Sequence, residues 1–487
     1  MTSDGVEKLL NDLKTGKAPG PDGLNKEDLC IDTRLIANCL TLIFNASLRS
    51  AKLPAGWKLA NIIPVHKKGQ LDMPNNYRPI SLTSIPCKLL EHIVLHYLNK
   101  LLDPILHNRQ HGFRRGLSCE TQLCGTLHEI ARSMNNSHTT HALVLDFQKA
   151  FDKVPHKLLI HKLSNVDGIN PHILRWLQNF LTKREQQVII DGHSSGRLPV
   201  FSGVPQGSVL GPTLFLLYIN DLPDLLSCSV SLFADDTLIF QEVDSLDDVR
   251  KFQKNIEQIE NWSLKWKMPF NSSKCRIMSF GKDPQIQPSY RLGGETLPYV
   301  DEITYLGVTL QFNLKFHSHI TKKINKAYKV LGMLKRSLYG APKKAKLLAY
   351  MTLCRPILEY AATTWDPVTK QLVKEIELVQ NRAIRFICCL KGREASISDA
   401  REQLNISSLE DRRKSLRITL LLKILSKEEC HQALSSSYTE LTRDKSTATV
   451  TTRAASNGIP TAISAMCTAY HNSFLPRTIR DLRIGTP

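Results

Sequence analysis

The sequence has no long apolar run. Its best stretch, Thr213 to Ile219, falls far short of the ~18–20 residues that span a bilayer, so no membrane contact is expected. The opening residues, Met1 to Asp4, lack the basic-then-apolar order of a secretion signal, which predicts an intracellular chain, in the nucleus or the cytoplasm. There are 12 cysteines but no C-x-x-C pair and no Cys/His array of zinc-knuckle spacing, so free thiols in a reducing compartment are expected rather than zinc. The adjacent Cys388 and Cys389 sit in the apolar run Ile384 to Leu390 and read as buried packing. Acid is scarce: 45 Asp and Glu stand against 64 Lys and Arg, a net charge of +19. That balance excludes acidic binding proteins and calls for a polyanionic partner.

The shortage is local. Residues 312–487 hold 30 Lys/Arg and 14 Asp/Glu, and positions 303–358 hold eleven Lys/Arg and no acid. The remaining acids lie mostly in the first two thirds, where some chemistry needs them. At 487 residues and 42% hydrophobic composition, the chain is long enough for two to four domains with real cores.

Periodicity predicts helices over Val6 to Leu13, Leu35 to Leu48, a long one capped by Ser84, Ile173 to Leu181, Val209 to Ile219 and Leu246 to Trp262. Strands are expected at Leu59 to Val65, Ala142 to Leu145, Val230 to Phe233 and Thr237 to Gln241, with a hairpin of Gln187–Ile190 and Arg197–Phe201 around Asp191-Gly192. Beyond 312 the pattern is nearly all helical, with Ile320, Ile324, Tyr328, Leu331 and Leu338 on one stripe. The fold class is α+β.

Two aspartates, Asp235 and Asp236, interrupt an apolar strand-like segment, and Asp146 comes off the end of another. Each alone is ordinary turn chemistry. If the strands are neighbours, three carboxylates converge at one end of a sheet, a donor set suited to two Mg²⁺ ions.

Around these residues the sequence resembles the reverse transcriptases of non-LTR retrotransposons (LINEs) of the jockey-like or chicken-repeat-like branches. The ordered blocks are Lys17-Ala-Pro-Gly-Pro-Asp-Gly-Leu24 ahead of the fingers, Ile63 to Gly69 with Asn76-Tyr-Arg-Pro-Ile-Ser-Leu82 in the fingers, and His111 to Gly116. Leu145 to His156 resembles palm motif A, Gly203 to Pro212 motif B, Phe233-Ala-Asp-Asp236 motif C, Asn271-Ser-Ser-Lys274 motif D and Tyr305-Leu-Gly-Val308 motif E. Leu358-Glu-Tyr360 and Trp365-Asp-Pro367 are similar to the region after the palm.

The resemblance implies a right-hand polymerase, with fingers and palm built on an antiparallel sheet and followed by an all-helical thumb and C-terminal region. The expected domains are a helical extension over 1–44, fingers and palm over 45–311, a thumb over 312–425 and a partly ordered basic tail over 426–487. It implies copying of RNA into DNA from a DNA primer with dNTPs and two Mg²⁺ ions, Mn²⁺ being a substitute, and DNA-templated synthesis as a second activity. Asp146 and Asp235 are the implied metal ligands, with Asp236 beside them and Lys274 serving the leaving pyrophosphate. Lys67 or Lys68 with Arg78, Phe147, Phe151, Gln206 and Gly207 are the nucleotide-binding set, and the Phe151 ring is expected to exclude a 2′-hydroxyl. Asp152 and His156 read as loop anchors. Lys322, Lys323, Lys326, Lys329, Lys335 and Arg336 are expected to contact phosphates without reading bases. The rival expectations are an RNA-templated RNA polymerase, against which Phe151 speaks, and a remnant that only binds nucleic acid. The resemblance also predicts an endonuclease missing from this chain.

Overall fold

The computed structural model describes residues 1–281, 287–390, 396–426 and 463–484, so most of the expected tail, 427–462, lies outside the described residues. Contacts divide the chain into two units. One comprises Met1–Phe113, Asp146–Leu226 and Glu257–Asn271; the other comprises Arg114–Leu145, Ser227–Ile256 and Ser272–Pro487.

In the first unit, the helix Ser3–Asn11 buries Val6 and Leu10 and packs on the helix Thr33–Ser50. A mixed sheet follows. Strand Leu59–His66 pairs antiparallel with Tyr77–Leu82 but parallel with Arg184–Ile190, so the expected antiparallel sheet is corrected here. The parallel pairing is possible because a long crossover, not a tight turn, joins the two strands. The hairpin turn is where the sequence predicts it: Ile190 faces His193 across Asp191 and Gly192, both at positive φ, the two-residue geometry that suits twisted strands. Its return strand is shorter than expected, Leu198–Val200.

Helix Ile85–Leu102 starts on Ser84, whose Oγ accepts the Cys87 N–H, and it buries Leu89, Leu90, Val94 and Leu98. It also buries Glu91 completely. Glu91 accepts the backbone N–H groups of Val209 at 2.7 Å and Leu210 at 3.1 Å, at the entry to helix Gly211–Ile219. Burial raises the Glu91 pKa, against the lowering pull of those two N–H groups and of Arg184.

The second unit is built on an antiparallel sheet in the order Ser229–Phe233, Asp236–Glu242, Thr140–Leu145, Arg276–Phe280. Ala142, Leu238, Phe240, Met278 and Phe280 on the sheet meet Leu123, Leu127 and Ile130 from helix Cys119–Asn135 and join one large core. The same core takes in the hairpin Glu302–Tyr305/Val308–Gln311 and the helix His317–Ser337, which buries Ile320, Ile324 and Leu331. Tyr328 and Leu338 pack at its edge. Among the described residues every regular element after Gln311 is a helix. Helix Lys370–Ile387 buries Ile384 and Ile387, but Cys389 follows it at φ 51° and is exposed, which corrects the expectation of buried packing. Once the helix stops, the residue after it turns away from the buried stripe.

Asp366 closes this unit. It pairs with Arg413 at 2.6 Å, with Arg417 and with Arg477 at 3.0 Å, and Arg417 also reaches Asp481. These pairs hold helix Phe474–Ile484 beside helix Leu409–Leu425. Removing one partner of such a buried network leaves uncompensated charge. Asp366→Ala is therefore expected to cost about 3–5 kcal/mol of stability, measured by urea unfolding.

Three buried histidines in this unit set an acid limit. Burial, before any charge effect, lowers His128 and His319 to about 3 and His141 to about 4. The Thr309 N–H donates to His319 Nδ1 at 3.0 Å, which requires that nitrogen to be unprotonated. Between those values and about 6.5 the unfolded chain binds more protons than the folded one. The contribution to stability is complete above about 6.5 and is lost as pH falls toward 3–4, by up to about 1.4 kcal/mol per pH unit for each group. Urea midpoints at pH 7.5 and 5.0 check this, and His319→Gln is expected to flatten the dependence.

Candidate active site

In the second unit, Phe233 pairs with Asp236 across a two-residue turn made by Ala234 and Asp235. Asp236, expected in the break, instead opens the strand; it is exposed, while Asp235 at the tip is half-buried. Ala234 is held at φ 53°, a left-handed conformation that a non-glycine residue rarely adopts. Leu145 faces Thr237 in the neighbouring strand, so that strand ends level with the acidic turn. Lys274 is exposed in the short 3-10 turn Ser272–Lys274, just ahead of strand Arg276–Phe280. Tyr305 is buried; burial first, and the Asp236 carboxylate second, push its hydroxyl well above the ordinary range. Among the described residues, no group of three or more His, Cys, Asp or Glu side chains is gathered closely enough to hold a metal ion. A cavity of about 410 Å³, lined by Glu129, Arg132, Glu242, Asp244 and Asp248, opens at the opposite end of strand Asp236–Glu242 from the turn.

The first unit carries the expected motif A, motif B and fingers residues. Asp146 is half-buried, and its carbonyl accepts the Asn271 N–H at 2.7 Å. Phe147 is only 6% exposed: it stacks on Phe270 at 4.4 Å and meets Trp262 edge-on. Its ring is taken up by packing. Phe151 stacks on Phe215 at 4.5 Å, meets Phe113 edge-on and stays half-buried. The loop from Gly203 is held on every side. Gly203 accepts from His156 Nε2 at 2.8 Å, and its own N–H donates to the Val154 carbonyl. The Gln206 side-chain amide donates to Asp152 at 2.9 Å, and the Gln206 carbonyl accepts the Ser81 N–H at 2.7 Å. Asp152 and His156 are thus loop anchors. Gly207 sits at φ 121°, and a Cβ there would lie 2.4 Å from the Ser81 carbonyl oxygen, so no other residue fits. Arg78 lies opposite Val65 in the strand pair, with Lys67 and Lys68 just beyond His66; all three are exposed.

On helix His317–Ser337, Lys322, Lys326, Lys329 and Arg336 fall on one stripe, diametrically opposite the buried Ile324, Ala327 and Leu331. That stripe is about 21 Å long at 1.5 Å per residue. Lys335 is also exposed, on the flank. Two of the six expected cations already have partners: Lys322 pairs with Glu302 at 2.7 Å, and Lys323 rests over the Tyr360 ring at 5.3 Å from its centroid.

The order of these elements has a counterpart among known proteins. The family model for reverse transcriptase (RNA-dependent DNA polymerase) matches residues 65–310. The chain belongs to this family. It is 29% identical over 404 residues to the RNA-directed DNA polymerase from mobile element jockey of Drosophila melanogaster, covering 80% of this chain and 44% of that protein. The probable RNA-directed DNA polymerases from transposon BS and transposon X-element of the same fly are each 30% identical, over 78% of this chain and 44% and 43% of theirs. The chain spans less than half the length of these relatives.

Sequence reasoning missed two charged residues of this reverse transcriptase. Glu91, which anchors the start of the motif B helix, announced itself only as a lone acid inside the apolar stretch Leu89 to Val94. Lys162 pairs with Asp221 at 2.5 Å, lies 3.7 Å from the centroid of the Trp266 ring, and is lowered to about 8, chiefly by burial. Asp221 is 59 residues away and Trp266 more than a hundred, and no local signal reports them. Gly207→Ala forces a Cβ into the Ser81 carbonyl. It is expected to destabilise the chain by about 2 kcal/mol or more and to speed amide exchange at Ser81; urea unfolding and hydrogen exchange test both.

Proposed function

We propose that this chain is the polymerase part of a non-LTR retrotransposon product, an RNA-directed DNA polymerase acting in the nucleus or cytoplasm. It extends a DNA primer along an RNA template, with DNA-templated synthesis as a second activity. Fingers and palm cover about 45–311, a helical thumb 312–425, with the segment 1–44 ahead and 426–487 behind. The observation that carries this reading is the register that sets Leu145 opposite Thr237. Asp146 follows Leu145 directly and Asp236 precedes Thr237 along the chain, which supports reading motifs A and C as the carboxylate donors.

The donor chemistry fits a divalent metal: carboxylate oxygens are the hard ligands that Mg²⁺ and Mn²⁺ take. Asp146 and Asp235 would hold such ions, with Asp236 beside them. When bound, the ions activate the attacking oxygen and steady the leaving group. The primer 3′-oxygen bonds to the α-phosphorus as the bond to pyrophosphate breaks. Lys274 offers the proton or charge that pyrophosphate needs. Arg78, with Lys67 or Lys68, grips the triphosphate, since guanidinium and ammonium groups suit phosphate oxygens. Phe151, wedged by Phe215 and Phe113, cannot swing aside, which supports it as the barrier to a 2′-hydroxyl. Lys326, Lys329, Lys335 and Arg336 line the backbone of the duplex.

Primer extension on poly(rA)/oligo(dT) with Mg²⁺ tests this. Extension with dTTP and not UTP is expected, falling about a thousandfold in Asp235→Ala. Extension with UTP would instead indicate an RNA polymerase, and salt-sensitive duplex binding without extension a binding remnant. Replacing Lys326, Lys329 and Arg336 by alanine is expected to lower the salt slope of duplex binding by about one per residue.

A further inference from the structure

The segment around Tyr360 has no part in the chemistry above, yet three contacts converge on it. The Tyr360 hydroxyl donates to the Leu306 carbonyl at 2.9 Å. Its ring fills the space beside Gly307, where a Cβ would come within 3.2 Å of the ring edge. The Lys323 ammonium rests over the same ring. Leu306 and Gly307, at φ 45° and 77°, form the two-residue tip of the hairpin Glu302–Tyr305/Val308–Gln311. Tyr360 therefore bolts that tip to the helix carrying the basic stripe.

Other contacts fix the rest of the hairpin to the same helix. Lys322 pairs with Glu302, the Thr309 N–H donates to His319 Nδ1, and the Ser318 N–H donates to Gln311. Directly beside its tip the hairpin carries Tyr305, paired with Val308 and within electrostatic reach of Asp236. It thus bridges the acidic turn and the basic stripe, and Tyr360, 41% exposed, sets its tip.

We propose that Tyr360 is a positioning residue for primer extension: by latching the tip 306–307 to helix His317–Ser337, it sets where a duplex held on Lys326, Lys329 and Arg336 presents its primer end to the Asp235–Asp236 turn. Lys322 and Lys323 belong to this latch rather than to the phosphate contacts. The inference rests on the polymerase reading for its consequence, but its contact with the duplex stands apart from activity.

Tyr360→Phe tests it, because the ring and its contacts with Gly307 and Lys323 remain while the hydroxyl's bonds to Leu306 and Cys119 go. Single-nucleotide incorporation at saturating dTTP is expected to fall about tenfold, while the duplex Kd, its salt slope and the melting temperature stay at the parent values. In the parent chain, binding an oligo(dT)/poly(rA) duplex is expected to slow hydrogen exchange at the 306–308 amides, and to slow it less in Tyr360→Phe. Incorporation at the parent rate, a parallel loss of duplex affinity and stability, or no protection of 306–308 by the duplex would each overturn the proposal. Should the parent chain itself fail to extend a primer, the polymerase reading fails alone, and exchange at 306–308 still decides whether the latched tip meets the duplex.

Discussion

The pairing of Thr140–Leu145 with Asp236–Glu242 is the constraint on which the rest depends. Strand side chains alternate faces, so a slip of one residue would carry Ala142, Leu238 and Phe240 out of the core. Their burial, together with that of Met278 and Phe280 from the flanking strand, holds the register. The register in turn decides that one strand ends level with the acidic turn made by Ala234 and Asp235. Apolar packing thereby positions carboxylates it never touches. The left-handed Ala234 is the local strain this arrangement carries.

Polar groups do the corresponding work in the first unit. The motif B loop has no regular structure of its own and is held by Asp152, His156, Ser81 and the wholly buried Glu91. Burying a carboxylate is costly, and the raised pKa of Glu91 shows desolvation outweighing its hydrogen bonds. What the site gains is a pinned helix start, because two of the backbone donors near that end are satisfied at a fixed place. Asp366 plays a similar part in the second unit, joining three arginines from two helices.

Much of this was readable beforehand. The strands flanking Asp146 and the Asp235–Asp236 pair, the turn at Asp191-Gly192, the cap at Ser84 and the apolar stripe of Ile320, Ile324 and Leu331 follow from local rules: period-two alternation, turn chemistry, capping and helical spacing. The basic stripe was visible as an acid-free stretch. The parallel pairing of Leu59–His66 with Arg184–Ile190 was not, because its partners are more than a hundred residues apart and nothing in either strand names the other. Phe147 shows the same limit: its place in motif A says nothing about Phe270, which takes up its ring.

By itself, then, the sequence determined the family, the order of the motifs, the chemical type of each candidate site residue and the division between acid-bearing and basic regions. All of these are properties of residue type and spacing along the chain. Only the tertiary structure decided which rings are spent on packing, which carboxylates anchor loops and which lysines are free to meet a phosphate. Those outcomes depend on residues distant in sequence and adjacent in space: Glu91 finds Val209, Tyr360 finds Leu306, and Lys322 finds Glu302.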